Sequence, residues 1–422
     1  MSEPLSTPQP AVRRARHLDG VRYEIRGPLA RRAHELERQG YEIIKLNIGN
    51  PAQFGFRTPE TMRLALIENL AQAEGYCHQK GIFPAREAVV MDTQARGIRG
   101  VGVEDVFMGN GVSELILMAM EALLERDDEV LLPAPDYPLW TAAVTLTGAR
   151  PVHYACRPEN GFVPDPAEVE ALVTPRTRAL VLINPNNPTG AVYPRETVEA
   201  LVRLAERRGL VLFSDEIYDR VLYDDARHVP AATLCEGTLC ATFGGLSKVY
   251  RACGLRVGWL VFSGRKQHVG DYLEGLELLA SLRLCSNVPG QWAVQTALGG
   301  VQSIFDLTAE TGRLGRQRRA LLRGVERSAF LRLVPPRGAL YAFPSVDPEA
   351  VPGFDDGRFA MELLDREHVL VVPGSSFNVP YTNHLRLTLL PDEETMSEVF
   401  RRMERLLGAW AARPSLSSQA AQ

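Results

Sequence analysis

Five apolar runs each end in a polar group, and the residue types found there limit the chemistry the chain can do. Gly109-Asn110-Gly111-Val112-Ser113 follows Val106-Phe107-Met108 and opens a helical pattern; Asp136 and Tyr137 follow the run that ends at Pro135. Asn184-Pro185-Asn186-Asn187-Pro188-Thr189-Gly190 follows Ala179–Ile183, and Asp215 then Tyr218 follow Leu210–Ser214. Lys248 comes after Ala241–Ser247, with Arg256 eight positions on. A lysine at such a strand end, flanked by apolar residues, is expected to be partly buried. Burial lowers the amine's pKa and suits it to Schiff-base formation. The choice of amine is narrow, because only four of the 47 basic residues are lysines: Lys45, Lys80, Lys248 and Lys266. The plainer alternative for Lys248 is a surface lysine in a loop.

The neighbours suggest what would sit beside that amine. A phosphate needs backbone N–H groups at a helix N-terminus and a cation, which Gly111, Val112, Ser113 and Arg256 could supply. This glycine turn is no dinucleotide fingerprint, since the third glycine is missing. Asp215 ends an apolar strand, where an unpaired carboxylate is costly. It needs a cationic partner, such as a protonated pyridine nitrogen, or it caps the segment Glu216-Ile217-Tyr218.

These strand ends share an edge only if the strands run parallel. Short Val-, Ile- and Leu-rich runs alternate with helical stretches (Ser113–Glu125, Pro194–Arg208, Val269–Leu284), which predicts an α/β fold with a mostly parallel, doubly covered sheet. Open parallel sheets bind ligands at the carboxyl ends of their strands. After about residue 300 the pattern changes to a helix over Arg313–Arg327, short strands (ALYAFPSV, VLVVPG, HLRLTLL) and a last helix over Glu393–Leu407. This reads as a smaller α+β domain. The expected division is an N-terminal arm over 1–20, an arm and small-domain segment over 21–60, a large domain over 61–300, a small domain over 301–410 and a disordered tail over 411–422. The mixed charges of Val12–Arg38 predict a solvated helical arm.

Composition narrows the partners. The net charge of −4 gives no basic field for nucleic acid. Six scattered cysteines without a C-x-x-C pair predict reduced thiols, not a disulfide frame or a zinc site, and the eight histidines show no metal-ligand spacing. No apolar run is long enough for a membrane helix, and the N-terminus has no secretory pattern. The expected location is the cytoplasm.

Taken together, Asn187-Pro188-Thr189-Gly190, Ser214-Asp215-Glu216-Ile217-Tyr218, and Ser247-Lys248 with Arg256 resemble the class I aminotransferases of fold type I, which use pyridoxal phosphate. The resemblance spans about residues 20–410 in consistent order. It implies that Lys248 holds the cofactor as a Schiff base, that Asp215 pairs with the pyridine nitrogen, and that Tyr218 and Asn187 bond the phenolic oxygen. It also implies that Arg256 and the Gly111–Ser113 turn hold the phosphate, that Tyr137 stacks on the ring, and that Arg386 and Gly49 take the substrate α-carboxylate. Tyr76 would reach the phosphate of a partner subunit's cofactor, which implies a homodimer with shared sites. One position departs from the pattern: where many relatives carry a serine phosphate ligand, this chain has Gly245. Ser113 or Ser247 could replace that hydroxyl.

Four segments are more similar to the bacterial glutamate–pyruvate (alanine) branch: Tyr23–Pro28, Asn50–Phe56, Pro135–Trp140 and Leu284–Pro289. The branch implies transfer of an amino group from L-alanine to 2-oxoglutarate. Tyr23 is placed among the substrate-binding residues, and Arg26 is a candidate partner for the second carboxylate. The alternatives are an aspartate, aromatic or broad-specificity aminotransferase, a lyase on the same fold, or a non-catalytic cofactor-binding regulator. The regulator is disfavoured because 20 N-terminal residues cannot hold a DNA-binding domain.

Overall fold

The computed structural model describes residues 12–21 and 27–413. Seven strands form its main sheet: β1 (Val106–Gly109), β2 (Glu129–Ala134), β3 (Arg150–Ala155), β4 (Thr177–Ile183), β5 (Val211–Asp215), β6 (Leu239–Gly245) and β7 (Gly258–Gly264). Their spatial order is β1-β7-β6-β5-β4-β2-β3. Only β7 runs against its neighbours β1 and β6; the other pairings are parallel.

The alternation of side chains along each strand explains why both faces are covered. Leu131, Leu180, Leu182 and Leu212 enter one buried cluster, whereas Val130, Leu132, Val181, Ile183 and Phe213 enter the other. Helices α1 (Val112–Leu123) and α2 (Pro138–Leu146) pack on the second face. Helix α3 (Arg195–Arg208) packs on the first through Leu201, Val202 and Leu204.

Parallel pairing brings the carboxyl ends of β1, β2, β4, β5 and β6 to one edge. Because β7 is reversed, its start lies at that same edge, which is what carries Arg256 there. The C-terminal part contributes a three-stranded antiparallel sheet of β8 (Tyr341–Ala342), β9 (Val372–Pro373) and β10 (Leu385–Thr388), in the order β8-β10-β9. Helices α4 (Arg313–Glu326), α5 (Asp356–Glu367) and α6 (Glu393–Ala411) surround it. Ile44–Lys45 pairs in parallel with Val369–Leu370, so an N-terminal segment joins this part of the molecule.

Three expectations need correction. Arg16–Gly20, read as loose arm, forms a 3-10 helix that ends at the extended Val21, and an α-helix covers Pro28–Arg38. The last helix does not stop at Leu407 but continues to Ala411, because Trp410 is buried and its indole bonds Glu362 at 2.9 Å. The expected tail therefore begins too early: Arg413 still pairs with Glu362 at 2.6 Å. Each of the three predicted C-terminal strand runs is shorter than its apolar stretch, with ALYAFPSV split into Tyr341–Ala342 and Ser345–Val346.

Candidate active site

A cavity of about 750 Å³ opens where the sheet edge meets the C-terminal part. Gly49, Val112, Ser113, Tyr137, Asn187, Asp215, Tyr218, Ser247, Lys248, Arg256 and Arg386 all line it, so residues far apart in sequence converge as expected. Lys248, partly buried, donates from Nζ to the carbonyl of Gly49 at 2.8 Å. The other three lysines each face a carboxylate: Lys45 faces Glu37 at 2.6 Å, Lys80 faces Glu277 at 3.0 Å, and Lys266 faces Asp105 at 2.7 Å. Among the described residues Lys248 has no such pair.

Asp215 sits at the buried end of β5. Its Oδ2 accepts from the indole Nε1 of Trp140 at 3.1 Å and its Oδ1 from the backbone N–H of Ile217 at 3.3 Å. Burial pushes this carboxyl up to about 6, against the pull of those two donors. It bonds the turn that follows it, and its remaining lone pairs face the cavity.

At the end of β1 the chain turns through Gly111, whose φ of +81° favours glycine, and enters α1 at Val112. A Cβ on Gly111 would come within 2.9 Å of the Arg256 guanidinium carbon. The helix N-terminus and the arginine are therefore packed against each other. Arg256 itself bonds the carbonyls of Cys253 at 3.0 Å and Asn110 at 3.1 Å, leaving its remaining donors at the exposed mouth. The backbone also accounts for Gly245. A Cβ there would stand 2.9 Å from the Val257 carbonyl oxygen, so a serine does not fit unless the β6–β7 pair shifts. Ser113 and Ser247 both line the cavity.

Arg386 also lines the cavity and is almost wholly buried. Its Nη1 donates to Asn187 Oδ1 at 3.1 Å and its Nη2 to the Asn47 carbonyl, while Nε has no partner. No described carboxylate pairs with it. A buried guanidinium with a spare donor is suited to a carboxylate ligand.

A model of the family described as "Aminotransferase class I and II" matches residues 41–403. The chain belongs to this aminotransferase family. It is 47% identical over 399 residues to the glutamate-pyruvate aminotransferase AlaA of Escherichia coli K12, covering 94% of this chain and 98% of that one. It is 48% identical over 400 residues to the alanine aminotransferase of Mycobacterium tuberculosis H37Rv, covering 94% and 93%. The crystal structure of an aminotransferase from Escherichia coli superposes with a TM-score of 0.94 at 46% identity, covering 96% of this chain and all of that one.

Two residues of this aminotransferase escaped the sequence reading. Trp140 reads in the sequence only as part of a motif, yet among the described residues it supplies the one side-chain hydrogen bond to Asp215. Tyr341 lines the cavity, and a Cβ on Gly49 would strike its hydroxyl. A tryptophan in a helix and a tyrosine in an apolar strand both read as core. Tyr76 is 82% exposed and is not among the residues that line this cavity. Tyr23 and Arg26 lie outside the described residues.

Proposed function

We propose that the chain is a pyridoxal-phosphate aminotransferase moving the amino group between L-alanine and 2-oxoglutarate, with Lys248 as the cofactor-bearing amine. The observation that carries this reading is the joint geometry of one cavity. Among the described residues it brings together an amine without a carboxylate partner, a buried carboxylate and a buried arginine with a spare donor.

The donor set fits the cofactor. Burial, with the Glu216 charge adding to it, holds Asp215 up to about 6, and a cationic ring nitrogen is the partner that would bring it down. The N-terminus of α1 with Arg256 suits a phosphate, and Ser113 and Ser247 are at hand for its oxygens. When bound, pyridoxal phosphate supplies a carbonyl that condenses with amines and a ring that takes up the electron pair released at the substrate α-carbon.

The chain's residues do the rest. Arg386 and the Asn187 amide it bonds grip the α-carboxylate and so fix which α-substituent faces Lys248. Lys248 Nζ, once free of the cofactor, would take the α-proton and deliver it to the cofactor's aldehyde-derived carbon, two atoms away across the imine nitrogen. Asp215 would stabilise positive charge on the ring nitrogen, Tyr218 and Asn187 would bond the phenolic oxygen, and Tyr137 would pack against the ring. The names of relatives at 46–48% identity support alanine and glutamate as substrates. Tyr23 and Arg26 are proposed to meet the substrate from the arm, Arg26 by pairing the second carboxylate of 2-oxoglutarate. An unchanged KM for 2-oxoglutarate in Arg26→Ala would remove that role.

The same reading includes a homodimer. Leu64 and Ile67 lie exposed on one helix, Leu278 and Leu282 on another, and Phe83 and Tyr76 are also exposed, giving apolar surface for a partner. Sedimentation of a dimer through the micromolar range is expected, and a monomer would sink it. A reducing, cytoplasmic setting accords with six free cysteines, and no described helix is long and apolar enough to cross a membrane. The decisive test is Lys248→Ala reconstituted with pyridoxal phosphate. Loss of the visible band and of alanine–2-oxoglutarate turnover is expected, whereas a coloured, active variant would defeat the assignment. A panel of amino donors separates alanine from aspartate or aromatic substrates.

A further inference from the structure

The turn that carries Asp215 and Tyr218 has a second side. Asp215 and Tyr218 line the cavity, whereas Glu216, Asp219 and Arg220 face the helix over Phe83–Ala95 and its cap Arg96. Charges turned inward need partners, and here they find one another. Glu216, buried, accepts from Arg96 Nη2 at 2.7 Å and from Ser214 Oγ at 2.9 Å, and Arg96 also faces Asp219 at 3.4 Å. Arg220 pairs with Asp92 through Nη2. Through Nη1 it donates to Gln302 Oε1 at 2.6 Å and to the buried Tyr250 hydroxyl at 3.2 Å. Tyr250 in turn donates to Gln302 Oε1 at 3.0 Å, which closes a triangle. Gln302 is fixed by its own amide, which bonds the carbonyls of Ala297 at 2.9 Å and Gly300 at 2.8 Å. The guanidinium thus spans Asp92 on one side and Tyr250 with Gln302 on the other, as a planar fork can and a single ammonium cannot.

The places in the chain give this triangle its meaning. Arg220 stands two residues past Tyr218, and Tyr250 two residues past Lys248. Neither lines the cavity. We propose that Arg220 is a positioning residue: through the Tyr250 hydroxyl it holds the Tyr218 turn and the Lys248 loop at a fixed separation from behind. The inference rests on the aminotransferase reading for what Tyr218 and Lys248 serve, but not for the tie itself. Arg386 and Asn187, which grip the substrate carboxylate in that reading, belong to other segments. The tie therefore bears on the reacting groups and not on substrate affinity.

Two conservative variants cut the tie from either side. Tyr250→Phe removes only the hydroxyl, and Arg220→Lys keeps a charge for Asp92 but gives up the fork. Amide hydrogen exchange of the cofactor-free protein reads the tie without any chemistry. Tyr250→Phe should speed exchange of the Asp219 and Val221 amides, which bond Glu216 and Tyr218, by about fivefold or more. Arg220→Lys should do the same to the Arg251 and Ala252 amides, which bond Lys248 and Leu246. In the cofactor-loaded enzyme each variant should lower kcat by about tenfold with KM for both substrates within about twofold, and the double variant should be no worse than either. Thr238→Val is the control. It removes a buried bond, from Thr238 Oγ1 to the Leu210 carbonyl at 2.7 Å, just before β6 and β5 begin and so at the other edge of the sheet. It should lower the melting temperature and leave kcat and those four amides as in wild type. Unchanged exchange in the far segment of both single variants overturns the tie. Wild-type kcat in both, additive losses in the double variant, or an equal kcat loss in Thr238→Val overturns the positioning role. If the wild-type protein forms no visible band with pyridoxal phosphate, the aminotransferase reading has failed instead, and the exchange data still decide the tie.

Discussion

Two wholly buried carboxylates stand at the same edge of the sheet, Asp215 at the end of β5 and Asp136 just past the end of β2, and the first turn of α2 holds both. Trp140 bonds Asp215, and the next residue, Thr141, bonds Asp136 at 2.5 Å. Successive helix residues point about 100° apart, which is how one turn serves two sites. The difference lies in what remains. Asp136 also accepts from Asn378 at 2.8 Å, and its backbone N–H donates to Phe377, whose ring lies under Arg386. Asp215 has one indole and one backbone donor, and then open cavity. A buried carboxylate whose acceptor sites are taken up by the fold stabilises that fold. One left short of partners is available to a ligand.

That contrast can be broken most decisively at the carboxylates themselves. Asp215→Asn should lower kcat by about 10²–10³-fold, in the range seen when one preorganised charge is removed, with the melting temperature unchanged or raised. Asp136→Asn should cost less than tenfold in kcat. Equal losses of activity would erase the distinction. The helix turn gives a smaller, sharper version. Trp140→Phe should reduce kcat by about tenfold, whereas Thr141→Val should leave kcat near wild type and cost about 1–3 kcal/mol of stability in denaturant titration.

The smallest effect is one of pH. Burial pushes Asp136 up to about 7, above its ordinary 3.8, so its contribution to stability is complete below about pH 4 and lost as the pH rises through 7. Burial pushes His153 and His384 down to about 4 from an ordinary 6.5. Their contribution is complete above 6.5 and lost as the pH falls through 4. His153 Nε2 lies 3.9 Å from Asp136, but burial disfavours charge on both, and Thr141, 2.9 Å from that nitrogen, links them instead. Asp136→Asn removes only the acid-favouring contribution. Its melting temperature should therefore fall more steeply than that of wild type between pH 7 and 4, and parallel curves would contradict this.

The sequence showed one side of the cavity far better than the other. Asn187, Asp215 and Lys248 were legible because a single rule, that ligands bind at the carboxyl ends of parallel strands, applies to each run separately. Arg386 needed the family resemblance, since an arginine in a short apolar strand has no local signal. Trp140 and Tyr341 were not legible at all. The first acts on a residue 75 positions away and the second through a strand pairing, and both look like ordinary core. The reason for Gly245 was hidden in the same way, in the Val257 carbonyl of the neighbouring strand. In the fold, the sheet and its covering were read from alternation. The length of α6 was not, because Gly408 resembles a stop while Trp410 and Arg413 anchor the helix beyond it.

The scarcity of lysine turns the cavity into a nearly self-reporting target for covalent probes. Three of the four side-chain amines are tied to carboxylates, and the fourth, Lys248, bonds only a backbone carbonyl. A brief pulse of an amine-acylating reagent should therefore mark one peptide first, the one containing Ser247-Lys248-Val249. Mass spectrometry of that peptide would count the cavities whose Lys248 amine is free of cofactor, in purified protein or in an extract, without any substrate turning over.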